Sequence, residues 1–247
     1  GCSAAAGLIA GSCLKRQIYR IAHTGRASAR PVSLFLGKPP LRRFSQAQGE
    51  RGQSMKPLLS IGIIFKNEIR CLERCVKSLQ PLRDAVSCEL IMADTGSDDG
   101  SREIGERYAD LLFDVPWTDD FSAARNAVMD RCSGEWYLSL DADEWLDENI
   151  DGLLAFFRDR QRPEPTCGLT VRNYISPVEH NLYTDFLAIR MVRMSSGLRY
   201  VGRIHERWEF PDGRELLVYP LGGVVLHHDG YVMLNDGSAA GREKLER

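Results

Sequence analysis

The chain has 247 residues, 43% of them hydrophobic and 27% charged, with a formal net charge of −2. This is the composition of an ordinary soluble globular protein long enough to bury a substantial core, with one domain plus appendages as the expected organisation. No run approaches the roughly eighteen apolar residues that a membrane-spanning helix needs, so a transmembrane segment is excluded.

The charge is unevenly placed. Residues 1–54 carry nine Lys or Arg against one acid, whereas the remainder carries 23 basic and 33 acidic residues. Residues 1–54 therefore read as a disordered basic leader or an upstream segment ahead of Met55, with an Arg- and Ser-rich, acid-poor transit peptide as the rival. No aromatic interleaving or binding motif in the leader points to nucleic acid. The seven cysteines (Cys2, Cys13, Cys71, Cys75, Cys88, Cys132 and Cys167) are odd in number and form no C-x-x-C pair. Reduced thiols are expected and a zinc site is not.

From residue 58 strands and helices alternate. "LLSIGIIF" (58–65) is a continuous apolar, β-branched run, the pattern of a strand covered on both faces. A helix capped by Asn67 is expected next, with Ile69, Leu72, Val76 and Leu79 as its apolar stripe and Pro81 as its stop. "CELIMAD" (88–94) is a second buried strand, "TGSDDGS" a turn, and Ile104 and Tyr108 mark a short helix ahead of a strand at "LLFDV" (111–115). A further helix starts near Asp120, with Phe121, Ala124 and Val128 on one face. "EWYLSL" (135–140) is the next strand, and Ile150, Leu153, Leu154 and Phe157 keep helical spacing after it. This order predicts an α/β fold, a mostly parallel central sheet with helices on both faces. Beyond it, "CGLTVRNYI", "DFLAIRMVRM" and "ELLVYPLGGVVL" predict an antiparallel second half.

Ligands of such sheets sit beyond the carboxyl ends of the strands. Lys66-Asn67-Glu68, Asp94 with its turn, and Asp141-Ala142-Asp143 all fall there, so three acid-bearing strand ends converge on one edge. Taken alone, the acidic cluster has several readings. A calcium loop starting at Asp141 fails on spacing, because Trp145, Leu146 and Gly152 occupy its later ligand positions. A phosphohydrolase of the haloacid-dehalogenase type places its D-x-D on the first strand rather than about the fourth. A plain acidic turn capping the next helix, through Asp143 or Asp147, is the structural alternative. Carboxylates approach a nucleoside diphosphate only through a divalent cation, and hard oxygen ligands suit Mg²⁺ or Mn²⁺.

"LLSIGIIFKNEIRCLERCVKSL", "ADTGSDDGS", "WTDDFSAARNAVMDRCSGEWYLSLDADE", "GRIHE" and "HHDGY" together resemble a family 2 glycosyltransferase of the GT-A fold. The resemblance is to a subgroup of bacterial enzymes that often precede tetratricopeptide repeats, and to relatives of the sublancin-type peptide S-glycosyltransferases. It runs from about residue 58 to 235. It implies a glycosyltransferase domain over 55–235 followed at 236–247 by the start of a truncated helical region, with tetratricopeptide repeats absent from this chain.

The implied activity is an inverting transfer from a nucleotide-sugar donor, UDP-linked in the commonest case, with a divalent cation (Mn²⁺ or Mg²⁺). Carried onto this sequence, Phe65, Lys66, Asn67 and Glu68 line the nucleotide pocket, and Asp94 contacts uracil or ribose with Ser97 and Asp99 in the same turn. Asp120, Arg125 and Asn126 match "DDFSAARN", Arg125 as a phosphate-pairing fork or as a salt bridge on its own helix. Asp141 faces ribose and metal, Asp143 is the principal metal ligand, and His228 completes the metal shell with His227 as its rival.

An inverting transfer needs a group to take the acceptor's proton, and Glu206 is the expected base with His205 second. Either residue equally suits a role shaping the acceptor loop. The acceptor is a glycan, a lipid-linked glycan or a peptide, and the expected location is the cytoplasm, at most peripheral to the inner face of a membrane. The rival enzyme class, a nucleotidyltransferase, usually carries a Gly-rich basic loop after its first strand, which "IIFKNE" lacks. The non-enzymatic rival is an inactive sugar-nucleotide-binding scaffold.

Overall fold

The computed structural model describes residues 56–159, 164–175 and 182–230, together with the backbone of two short strands, β1 (Tyr19–Ile21) and β2 (Ala27–Ser28). The remaining expectations for the leader and for 231–247 lie outside the described residues, as do Cys2, Cys13, His23 and His180.

The other elements in chain order are β3 (Leu59–Phe65), α1 (Leu72–Ser78), α2 (Gln80–Ala85), β4 (Cys88–Asp94), α3 (Ser101–Tyr108), β5 (Leu111–Asp114) and α4 (Phe121–Met129). They continue with β6 (Trp136–Asp141), β7 (Glu144–Leu146), α5 (Asp151–Arg158), β8 (Thr166–Tyr174), β9 (Tyr183–Arg193), β10 (Arg199–Val201), β11 (Arg207–Glu209) and β12 (Leu216–His228). One large sheet has the order β2-β1-β12-β8-β9-β6-β3-β4-β5, with β7 added against β12. The β6-β3-β4-β5 half is all parallel.

Side-chain parity along these strands builds two cores. Leu59, Ile61 and Ile63 of β3, Leu90 and Met92 of β4, and Leu138 and Leu140 of β6 pack under α1, α2, α3 and α5. The alternate positions, Ile91, Ala93 and Tyr137, face the other side with Val128 and Met129 of α4 and with Tyr200, Trp208 and Phe210. Tyr137 is accommodated because Gly62 stands beneath its ring, where any Cβ would collide with it. Helices therefore cover both faces, as the alternation of the sequence predicts.

Four local expectations are corrected. Asn67 does not cap a helix: it has φ +55° and precedes a loop, and α1 begins only at Leu72. Its side-chain oxygen instead accepts the Asp98 N–H at 2.9 Å, and Ile69 is left 47% exposed. Pro81 is not a stop either, since it sits in the first turn of α2, where a missing N–H costs nothing. Third, the second half is not wholly antiparallel. β8 and β9 pair antiparallel, but β12 runs parallel to β8. Last, the acidic turn continues into β7, which pairs Glu144 with His228 and Trp145 with His227 on β12. Among the described residues no helix is long and apolar enough to cross a membrane.

Candidate functional site

The register of the parallel strands brings the acidic ends together. Phe65 stands opposite Asp94, Ile64 opposite Asp141, and Asp94 opposite Asp114. Phe65 contributes backbone to this edge, because its ring is buried in the core near Gly105 of α3. Lys66 is half-buried beyond it.

The loop 66–69 and the turn 95–101 are stitched to each other. The Asn67 N–H donates to Ser97 Oγ (3.1 Å), the Glu68 N–H to Ser101 Oγ (2.7 Å), and the Ile69 N–H to Asp99 Oδ2 (3.1 Å). Asp99 also accepts from the backbone and hydroxyl of Ser101 at the start of α3. Glu68 takes the Cys71 thiol at 3.1 Å. Asp94 is buried, and its Oδ1 accepts the Gly96 and Ser97 N–H groups at 2.9 and 2.8 Å. Its other oxygen lies 3.7 Å from Arg102, which also pairs with Asp114. This half is a rigid polar floor with Asp94 at its base.

The "DDFSAARN" segment divides its work. Asp120 caps α4 by accepting the Ala123 N–H at 2.9 Å. Asn126 clips α4 to β10, donating to the Tyr200 carbonyl (2.9 Å) and accepting the Tyr200 N–H (3.1 Å). Arg125 is buried and spans three acceptors. Its Nε donates to Glu206 Oε1 at 2.7 Å, Nη1 to Ser139 Oγ at 3.2 Å, and Nη2 to Asp141 Oδ1.

The second Asp141 oxygen lies 3.2 Å from Arg190 of β9, and the same Arg190 nitrogen pairs with Glu144. Asp141 is thus the centre of a charge hub between two guanidiniums. Burial opposes its ionisation, but Arg125 and Arg190 outweigh burial and hold its carboxyl well below the usual range. Glu144 behaves oppositely. Burial, with the neighbouring Asp141 charge, pushes it up to about 7 despite Arg190. Glu144 also accepts the Asp141 N–H at 3.0 Å, so it fixes the backbone of the turn.

Asp143 points elsewhere, to His228 at the end of β12, whose Nε2 is 3.6 Å from Asp143 Oδ1. The opposite imidazole nitrogen, Nδ1, is 2.6 Å from Asn173 Oδ1 on β8. Burial opposes the charged imidazolium, but Asp143 and the neighbouring carboxylates win and raise the His228 pKa. Gly230 packs against this pair. A Cβ there would stand 2.5 Å from Asp143 Oδ2 and 2.6 Å from His228 Nε2.

The rival histidine is turned away. His227 takes Tyr174 Oη at 2.8 Å and Asp147 Oδ2 at 3.0 Å and stacks beside Trp145. Neighbouring residues of one strand face opposite sides, which separates the two histidines. His205 is exposed with φ +56° in the loop before Glu206.

The structure therefore brings Asp94, Arg125, Asp141, Asp143, Glu206 and His228 to one edge, and gives Asp99, Asp120 and Asn126 scaffold contacts. Sequence reasoning missed Arg190, Asn173 and the part played by Glu144. Cations inside the apolar run "DFLAIRMVRM", Arg190 and Arg193, are the signal that points to this strand.

Asp143 and His228 are suitable cation ligands in kind, carboxylate oxygen and imidazole nitrogen. Among the described residues no three His, Cys, Asp or Glu side chains are grouped to hold a metal. Two protein ligands with a glycine-lined gap beside them fit a cation that takes its other ligands from a bound diphosphate and water, the usual habit of Mg²⁺.

Comparison with known proteins identifies the family and the fold. A family model described as glycosyl transferase family 2 matches residues 60–214. The SPbeta prophage-derived glycosyltransferase SunS of Bacillus subtilis is 28% identical over 156 residues, covering 62% of this chain and 35% of the relative. A TPR repeat-containing protein of Synechococcus elongatus is 41% identical over 88 residues, covering 36% of this chain and 21% of the relative. The lipopolysaccharide core biosynthesis glycosyltransferase LpsC of Rhizobium meliloti is 31% identical over 101 residues, covering 39% and 35%. The chain thus spans about a third or less of the length of these curated relatives. Among solved structures, Staphylococcus aureus TarS superposes with a TM-score of 0.51 at 13% identity over 76% of this chain and 42% of that one, a likeness of fold.

Proposed function

Because the chain belongs to glycosyl transferase family 2, we propose that it is a metal-dependent, inverting glycosyltransferase that takes its sugar from a UDP-linked donor. The observation that carries this reading is the Asp143–His228 pair, 3.6 Å apart beside Gly230 at the carboxyl edge of the sheet. Asp143 and His228 would hold Mn²⁺ or Mg²⁺, which when bound neutralises charge building on the departing diphosphate. The floor made by Asp94, its turn and residues 66–68 receives the nucleoside, Asp94 by accepting hydrogen bonds from base or ribose.

Asp141 acts through its hub. With both oxygens engaged by arginines it sets the position of the turn that presents Asp143. In an inverting displacement the acceptor attacks the anomeric carbon from the side opposite the diphosphate, and its proton passes to a base. Glu206 suits that part: it lies on the acceptor-side loop, and Arg125 holds its Oε1 in one orientation. His205, in the same loop, is the second choice. The acceptor class stays open among a glycan, a lipid-linked glycan and a peptide. The location proposed with this function is the cytoplasm, at most peripheral to the inner face of a membrane, where thiols such as those of Cys75, Cys88 and Cys132 stay reduced.

The test is calorimetric titration of UDP-glucose and UDP-N-acetylglucosamine with and without Mn²⁺, on wild type and Asp143→Ala. Mn²⁺-dependent binding lost in Asp143→Ala is the expected result. Absence of binding by any UDP-, GDP- or dTDP-sugar to wild type overturns the reading. Binding indifferent to Mn²⁺ and to Asp143→Ala removes the metal from it.

A further inference from the structure

We infer that Trp117 and Phe121 form an aromatic platform beside Glu206 that stacks on the sugar ring of a saccharide acceptor; this rests on the reading of the chain as a glycosyltransferase with Glu206 as its base. Phe121 opens α4 and Arg125 follows one turn later, so both side chains lie on one face of the helix. Arg125 holds Glu206 at 2.7 Å, so Phe121 stands one helical turn from the residue that grips the base. That turn is at the start of α4, next to the carboxyl edge where β5 ends. Phe121 is 38% exposed, and the Trp117 ring meets it edge to face, with centroids 4.8 Å apart at 74°. The Trp117 Nε1–H donates to Asp119 Oδ1 at 2.8 Å, which fixes the indole. Ile204, 63% exposed on the loop that carries Glu206, adds a further apolar side chain.

The segments 117–122 and 202–206 are fastened into one unit. The Phe121 N–H donates to the Arg203 carbonyl at 3.0 Å and Ser122 Oγ to the Gly202 carbonyl at 2.5 Å. The Arg203 guanidinium donates to the Asp119 and Thr118 carbonyls at 3.2 and 3.0 Å. Asp119 and His205 are held at φ +53° and +56°, a conformation that costs a non-glycine residue energy and persists only where its surroundings impose it. Phe121 belongs to neither hydrophobic core, so packing does not explain an aromatic ring at this place.

The surface selects its occupant. The apolar face of a pyranose presents C–H bonds, slightly positive, that match the negative face of an aromatic ring. An extended peptide needs a row of open backbone groups, but the Thr118, Asp119, Gly202 and Arg203 carbonyls are already taken. An acyl chain needs a continuous apolar patch, and Asp119, Asp120 and Arg203 interrupt this one.

The probes are methyl β-glucoside, methyl β-galactoside and methyl N-acetyl-β-glucosaminide, titrated onto protein loaded with UDP and Mn²⁺. Binding is followed by NMR, through the tryptophan indole N–H signals and saturation transfer to the sugar, for wild type, Phe121→Ala, Phe121→Leu, Phe121→Tyr and Trp117→Ala. At least one glycoside is expected to bind wild type and shift the Trp117 signal. Phe121→Ala and Phe121→Leu weaken it by about tenfold. Phe121→Tyr, which keeps the aromatic face, retains it, and UDP affinity is the same throughout.

The inference is overturned if no glycoside binds UDP-loaded wild type, or if Phe121→Ala binds as wild type does. Full binding by Phe121→Leu also overturns it, because apolar bulk then suffices without stacking. A casein-derived peptide or a dodecylphosphocholine micelle that binds wild type and is released by Phe121→Ala, with no glycoside bound, assigns the platform to another occupant and overturns it too. If Trp117→Ala does not fold, the Phe121 series decides alone. Wild type that binds no nucleotide sugar removes the parent reading, an outcome seen before any glycoside is added.

Discussion

Replacing Arg125 by Met keeps the bulk of the side chain but removes the charge that joins the two halves of the site. Arg125 is 6% exposed and serves Asp141, Ser139 and Glu206 together. Removing one member of a buried ion pair costs about 3–5 kcal/mol, because a charge is left without compensation. Two features place this case at the lower end. Asp141 is a third exposed and retains Arg190 at 3.2 Å. Glu206, at 16% side-chain exposure, bears the main loss.

A destabilisation of about 3 kcal/mol corresponds to roughly 6–12 °C in Tm for a chain of this size. The assay is urea unfolding of wild type, Arg125→Met, Glu206→Gln and the double variant. Glu206→Gln in the Arg125→Met background neutralises the stranded carboxylate and recovers about 1–2 kcal/mol of the loss. A loss below about 1 kcal/mol in Arg125→Met, or no recovery in the double variant, refutes the view of Arg125 as a buried bridge between Asp141 and Glu206.

Gly230→Ala places a methyl group in the gap between Asp143 and His228, so Mn²⁺ binding with UDP falls by at least about tenfold while far-UV dichroism is unchanged. Asn126→Ala removes two hydrogen bonds to Tyr200 and costs about 1–2 kcal/mol, read as faster hydrogen exchange at the Tyr200 amide. Glu89 is held below its ordinary pKa: desolvation opposes this, but hydrogen bonds from Ser60, Ser133 and Gly134 prevail. A depressed carboxyl contributes stability above its unfolded value of 4.5 and loses that contribution as pH falls through the folded value. Wild type should therefore exceed Glu89→Gln in stability at neutral pH. Its advantage should shrink below 4.5, as followed by urea unfolding across an acid series.

The parallel half of the sheet was legible in the chain itself. A strand buried on both faces reads as a continuous apolar run, so β3, β4 and β6 announce themselves, β4 at the same bounds in sequence and structure. Their polar ends identify Asp94, Asp141 and Asp143 as edge residues, because a parallel sheet aligns its carboxyl ends whatever the loops do. Local chemistry carries that much. It misled where a tertiary contact took over: Asn67 has the chemistry of a cap but spends its side chain on the turn 95–101.

What only the tertiary structure decided is which charges meet. Asp141 and Arg190 are 49 residues apart, His228 and Asn173 are 55 apart, and Arg125 and Glu206 are 81 apart. Periodicity specifies the face a side chain takes on its own element, never its partner on another. The choice between His227 and His228 shows the limit most clearly. Both sit at the end of the same strand with the same chemistry, and alternation says only that they face opposite ways. The pairing of β12 with β7 and β8 sets which way is inward, giving His228 to Asp143 and Asn173 and His227 to Tyr174 and Asp147.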